Sequence, residues 1–194
     1  MKKIPSLFVR EEHGRLSTTL VNPECQWVID GEGKAYAKLD GTSCMVLDNK
    51  LYKRYDNSSV RFGFRKQNTT PLKTWIHCEC PTERGQFIYW IPIGTKDYYH
   101  QIGWAWSQGK LEDGTYELVG PGVQNNPHGY EHCTLVKHNS MPVKLPVFCK
   151  EDAHFQINCF LEDDKQKDLE GIVWHHPDGR MCKITKKKFG IDWN

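Results

Sequence analysis

In the stretch Ala35-Tyr36-Ala37-Lys38-Leu39-Asp40-Gly41-Thr42, an alternating, strand-like run ends in a lysine, followed by an aspartate and a glycine. An amine so placed can bond covalently to a substrate if it is neutral at the moment of attack. That requires partial burial or neighbouring positive charge. Asp40 falls on the same side of an extended segment as Lys38, where it can orient the amine or help hold a metal-bound phosphate. Gly41 lets a ligand or another backbone approach closely. Read alone, the same residues equally make a β-hairpin with an Asp-Gly turn and an exposed lysine.

Other residues add to this chemistry. Glu117 lies inside the apolar run Thr115-Tyr116-Glu117-Leu118-Val119, where an unpaired carboxylate is costly; a polar ligand, a basic partner or a metal-associated water would justify it. Glu170 stands at the entrance of a second apolar run, Gly171-Ile172-Val173-Trp174. Lys183 lies in a last strand that feeds into Lys186-Lys187-Lys188, either a solubilising tail or a phosphate clamp. Lys53 and Arg54 are expected on a strand next to that of Lys38, as cationic neighbours of its amine or as phosphate contacts. Residues 61–71 mix Arg61, Arg65 and Lys66 with Phe62 and Phe64, which suits either a substrate-facing loop or a solvent-exposed one. His77, Cys78 and Cys80 have the residue types of a metal site, but neighbours along a strand cannot all face one ion.

The elements that must position these groups are predominantly short strands. Residues 4–9 read as an edge strand or covering arm, and Pro23 after Asn22 as a helix start or tight turn. Gly31 and Gly33 break the chain before the Lys38 strand, and Asp48-Asn49 turns it into a strand over residues 51–56. Strands are also expected near residues 75–80, 87–93, 115–120, 169–174 and 180–184. Residues 96–106 read as partly helical or irregular, residues 145–148 as a short strand or turn near the core, and residues 162–170 as acidic and helical. The chain from residue 152 shows little periodicity.

At 194 residues the chain can hold one sizeable core, or one domain and a small appendage. Its 26 Lys and Arg against 24 Asp and Glu give a net charge of +2, so any basic groove must come from local clustering. The eight cysteines contain no CxxC pair and are read as reduced thiols of a soluble, intracellular, most simply cytoplasmic protein. No apolar run approaches membrane-spanning length.

Taken in order, Lys38-Leu39-Asp40-Gly41, Arg54 within Tyr52-Lys53-Arg54-Tyr55-Asp56, Tyr116-Glu117-Leu118-Val119-Gly120, Glu170-Gly171-Ile172-Val173 and Cys182-Lys183-Ile184 resemble the motif set of the covalent nucleotidyltransferases. This superfamily holds the ATP-dependent polynucleotide ligases and messenger RNA capping enzymes. Trp27-Val28, Gly31-Glu32-Gly33 and Glu117-Leu118-Val119-Gly120-Pro121 are most similar to the small RNA ligases related to the vertebrate 5'-to-3' RNA ligase. Threonine at position 185 stands where that pattern has a second lysine, and Lys186 is expected to take the role after a register change.

The resemblance implies an α+β fold, an ATP-grasp-like nucleotidyltransferase core of two antiparallel β-sheets with flanking helices around a nucleotide groove. It implies one such domain over residues 1–194, without an appended OB-fold domain. It further implies ATP and Mg2+ (or Mn2+) as cofactors and, as substrate, RNA with 5'-phosphate and 3'-hydroxyl ends. Lys38 would be the nucleophile, and Asp40, Glu117 and Glu170 would serve the metal. Arg54 would contact phosphate or the RNA end, Glu117 the ribose, and Lys183 with Lys186 the α-phosphate and pyrophosphate. Ile172 would pack beside adenine, with Phe148 as its stacking partner. Two alternatives share these residues: a guanylyltransferase acting on RNA 5' ends, and an inactive RNA-binding protein with a basic groove.

Overall fold

A computed structural model describes residues 4–56, 73–78, 88–146 and 149–193. The basic segment 61–71, Cys80 and Phe148, to which the sequence assigned roles, lie outside the described residues.

In chain order the strands are β1 (Phe8–Arg10), β2 (Ser17–Val21), β3 (Lys34–Lys38), β4 (Thr42–Leu47), β5 (Lys50–Asp56), β6 (Ile76–His77), β7 (Ile88–Pro92), β8 (Gly114–Val119), β9 (Thr134–Lys137), β10 (Gly171–His175) and β11 (Met181–Thr185). The helices are α1 (Gln26–Ile29), α2 (Tyr98–Trp106) and α3 (Ala153–Glu162), with short 3-10 turns at Pro23–Cys25, Asp164–Gln166 and Lys186–Lys188. The mixed α+β class expected from the sequence is met. The described strands form three antiparallel sheets, of two, three and six strands. Among the described residues no helix is long and apolar enough to cross a membrane, and no disulfide forms.

The chain divides into two compact units, one holding residues 41–138 and the other residues 4–40 and 139–194. It passes from one to the other inside the Lys38 motif, between Asp40 and Gly41.

In the unit built from two segments, the sheet order is β11-β10-β3. The register sets Lys38 opposite Gly171 and Gly171 opposite Thr185; two residues along, Tyr36, Val173 and Lys183 share a row. Alternation then sorts the side chains. Ile172, Trp174, Cys182 and Ile184 turn into a core completed by Leu7, Phe8, Trp27, Ile157 and Leu161, leaving Lys38, Tyr36, Val173 and Lys183 on the opposite face. Residues 5–7 run along the outer edge of β11, where the Lys183 amide donates to the Pro5 carbonyl and its carbonyl accepts from the Leu7 amide. Residues 141–143 cover the free edge of β3 in the same way, through Ala37 to Met141 and Val143 to Ala35. Both readings of the N-terminal arm are therefore met, because it covers one sheet and then enters β1.

Asn22 starts the first turn by accepting from the Glu24 amide at 3.1 Å, with Pro23 at the first position, where no amide is needed. Helix α3 begins nine residues earlier than the helical segment expected over residues 162–170. Ala153, Ile157 and Leu161 recur at every fourth position and are buried in the core, while Phe155 on the same helix is exposed and obscures the period.

The other unit is built on the six-stranded sheet, order β6-β7-β5-β4-β8-β9. Its two-residue β4–β5 turn places Asp48 and Asn49 at positive φ, 49° and 55°, the conformation that matches the twist of a tight hairpin. Cys44, Val46, Leu51, Tyr116, Leu118 and Leu135 form its core. Helix α2 packs on this face with Ile102 and Trp104, and Gly103 lets it come close, since a Cβ there would lie 2.7 Å from the Leu118 Cδ1 and that side chain would have to shift.

Candidate active site

Lys38 is the last residue of β3, and its neighbour on β10 is a glycine. A Cβ on Gly171 would come within 2.1 Å of the Ile184 carbonyl oxygen, so β10 and β11 close up only without a side chain there. The preceding residue, Glu170, turns its carboxylate to Lys38, with Nζ to Oε2 at 2.5 Å. Glu170 is only 9% exposed. Burial raises its carboxyl above the ordinary range; the Lys38 charge and hydrogen bond oppose that rise, Asp40 adds to it and Lys183 opposes it. One buried carboxylate thus takes the field of two lysines and a second carboxylate.

Asp40 is held by the indole of Trp193, whose Nε1–H donates to Oδ2 at 3.1 Å. Lys186 is 4% exposed, and its ammonium donates to the carbonyls of Gln166 and Lys167 at 2.7 and 3.3 Å. Its backbone amide donates to the Glu170 carbonyl at 2.9 Å.

In the other unit, Glu117 and Thr115 leave β8 on the face away from the core, and both meet His138 just past β9. The ring nitrogens lie 2.9 Å from Thr115 Oγ1 and 3.0 Å from Glu117 Oε2. Glu117 pairs with Ser43 of β4, and Met45 two residues on pairs with Tyr52, so alternation brings Arg54 to this same face. The Ser43 hydroxyl and the Arg54 Nε are buried without a hydrogen-bond partner among the described residues. Polar atoms so placed suit a ligand or ordered water. Gly41 is required here as well, since a Cβ would lie 2.3 Å from the Leu118 carbonyl oxygen.

The structure brings Lys38, Asp40, Glu170 and Lys183 into one electrostatic neighbourhood. It corrects two expectations. Ile172, expected beside adenine, is fully buried on the core face; Val173 and Tyr36 share the Lys38 face instead. Lys53 and Arg54 are not on a strand neighbouring that of Lys38, because β3 pairs with β10 while β5 pairs with β4 and β7; Lys53 forms an ion pair with Asp97. Sequence reasoning missed His138 and Trp193. A lone histidine after a strand and a tryptophan beyond the last motif carry no spacing signal of their own.

Asp40 and Glu170 offer the hard oxygen donors that suit magnesium, which takes one or two carboxylates and completes its shell with substrate phosphates and water. Among the described residues no group of three or more His, Cys, Asp or Glu is placed to hold a metal ion. His77 meets the Tyr89 ring edge-on at 5.1 Å.

Lys38 at the end of β3 thus faces the buried carboxylate that immediately precedes the adjacent antiparallel strand, with Lys183 one strand further; the comparisons support a relationship to the covalent nucleotidyltransferase superfamily. Within it the similarity falls on RNA ligase 1, whose family matches residues 105–194. RNA ligase 1 of Rattus norvegicus is 23% identical over 269 aligned residues, covering 99% of this chain and 82% of that protein. The Mus musculus protein of the same name is 23% identical, covering 99% and 81%. That of Danio rerio is 24% identical over 247 aligned residues, covering 97% and 71%.

Proposed function

We propose that the chain is an ATP-dependent RNA ligase, a nucleotidyltransferase domain with an ATP-grasp-like core, joining RNA 5'-phosphate and 3'-hydroxyl ends in RNA repair within a reducing, cytoplasmic compartment. The observation that carries this reading is the 2.5 Å pair between Lys38 and the buried Glu170. A carboxylate whose pKa burial has raised is a better proton acceptor, and an amine must lose a proton before it can attack.

Lys38 Nζ attacks the α-phosphorus of ATP; the new P–N bond forms as the bond to pyrophosphate breaks, and the proton passes to Glu170. The RNA 5'-phosphate oxygen then attacks the lysyl-AMP phosphorus. The P–N bond breaks, Glu170 returns the proton to the amine, and an RNA-adenylate results. A 3'-hydroxyl oxygen attacks the activated 5'-phosphate; the new P–O bond forms as the bond to AMP breaks, the hydroxyl proton passes to solvent, and the strand is closed.

Lys183 serves the α-phosphate and pyrophosphate, and Arg54 serves phosphate or the RNA end. Glu117 takes the ribose or the metal's hydration shell. Val173 replaces Ile172 as the residue beside adenine. Lys186 is left out of the phosphate set because two carbonyls already hold its ammonium. Asp40 and Glu170 would hold magnesium or manganese, which when bound neutralises phosphate charge.

The test is intact mass after incubation with magnesium and either ATP or GTP, followed by peptide mapping. An AMP-sized adduct on Lys38 is expected with ATP, and sealing of a 5'-phosphorylated RNA strand should follow. A GMP-sized adduct only with GTP would replace this reading with the capping alternative, and RNA binding without either adduct would replace it with an inactive binder.

A further inference from the structure

The ligase reading leaves Trp193 unused, although its indole nitrogen lies 3.1 Å from Oδ2 of Asp40. The ring is itself fixed from the other side, for the Lys186 ammonium stands 5.1 Å from its centroid. That ammonium is buried and bonded to the Gln166 and Lys167 carbonyls, on the turn that leads into Glu170. The Lys186 backbone closes the arrangement. Its amide donates to the Glu170 carbonyl, and its own carbonyl accepts from Phe189 at 2.9 Å and from Ile191 at 3.2 Å, folding the chain back so that Trp193 arrives over Lys186.

The segment after β11 therefore touches both residues of the site, Glu170 at its backbone carbonyl and Asp40 at its carboxylate. Burying an ammonium is costly unless carbonyls or charges receive it, so Lys186 must gain these partners for the turn to form. A carboxylate with one oxygen committed to an immobile indole has lost a rotational freedom it would keep in solvent. Orientation of this kind is where a small displacement costs a large factor in rate.

We infer that Trp193 is a positioning residue that sets the orientation of Asp40 beside Lys38 and Glu170, with Lys186 as the pedestal that holds the indole in place. The role rests on the ligase reading, but the Trp193–Asp40 bond does not.

Two measurements separate them. In Trp193→Phe the ring stays over Lys186 while the N–H donor is lost. Single-turnover formation of the Lys38 adduct at saturating ATP should slow about tenfold or more. The KM for ATP should stay within about twofold, because the nucleotide still finds its other contacts. Trp193→Ala should show the same rate loss together with a lower Tm, since the cation loses its ring. Independently, the indole N–H resonance in a 15N-labelled chain, assigned by its loss in Trp193→Phe, should move upfield in Asp40→Ala. Adduct formation at the wild-type rate in Trp193→Phe would overturn the positioning role, as would an indole resonance indifferent to Asp40→Ala. A wild-type chain that forms no adduct would overturn the ligase reading and the role with it, while the indole shift would still establish whether the bond exists.

Discussion

At the scale of single residues, the proposed reaction turns on a proton. Lys38 and Glu170 share a short hydrogen bond in which the carboxylate is the buried partner. Lys38→Arg keeps a cation there but removes the nucleophile, and adduct formation, read by intact mass, should be lost altogether. Glu170→Gln keeps the shape and removes the proton acceptor; single-turnover adenylylation should fall about 10²-fold or more while the fold is retained. The same carboxyl sets a pH dependence. Its ionised form accepts the proton, and burial raises its pKa, so the rate should decline on the acid side at a pH above the ordinary Glu value of about 4.3. A single-turnover profile in wild type, with an acid limb at or below that value, would detach Glu170 from the proton transfer. Lys38 and Glu170 were candidates in the sequence because their types and order singled them out. His138 and Trp193 were not, because their hydrogen bonds reach residues distant in sequence, Thr115 and Glu117 for His138 and Asp40 for Trp193.

At the scale of elements, β10 does the positioning, and its two faces make opposite predictions. Ile172 is fully buried among Ile157, Leu161 and Ile184, whereas Val173 shares the face of Lys38. Ile172→Ala should cost about 2–5 kcal/mol of stability in urea unfolding and leave the KM for ATP unchanged. Val173→Ala should cost less stability and raise that KM; the reverse pattern would return Ile172 to the adenine. The strand was legible from its apolar run, but its facing was not, because a run such as Gly171-Ile172-Val173-Trp174 is apolar on both sides and does not tell core from site. The register decides it, and the register comes from pairing with Lys38, which lies 132 residues away from Glu170. Gly171→Ala tests that pairing directly: a Cβ 2.1 Å from the Ile184 carbonyl should separate β10 from β11 at about 1–3 kcal/mol, read as a lower urea midpoint together with slower adduct formation.

At the scale of the whole molecule, the chain builds two cores, one per compact unit. One gathers Leu7, Phe8, Trp27, Ile157, Ile172 and Ile184 from residues distant in sequence; the other gathers Cys44, Val46, Tyr116, Leu118 and Leu135 from within the six-stranded sheet and its surroundings. Length and composition allowed one sizeable core, or one domain and a small appendage, and neither quantity shows where the chain leaves a unit and re-enters it. Residues 4–40 and 139–194 belong together only through pairings such as β3 with β10, and a local period cannot display those. Two buried clusters, each with fully buried members, should give two cooperative units in native-state hydrogen exchange. Ile157→Ala opens a cavity in the core that carries Lys38 and Glu170. It should speed exchange in α1, β10 and β11 together, although α1 lies far from the others in sequence, and leave β4 and β8 at their wild-type rates. Leu118→Ala should do the converse. Equal acceleration of all five elements in both variants would mean that the two cores open as one.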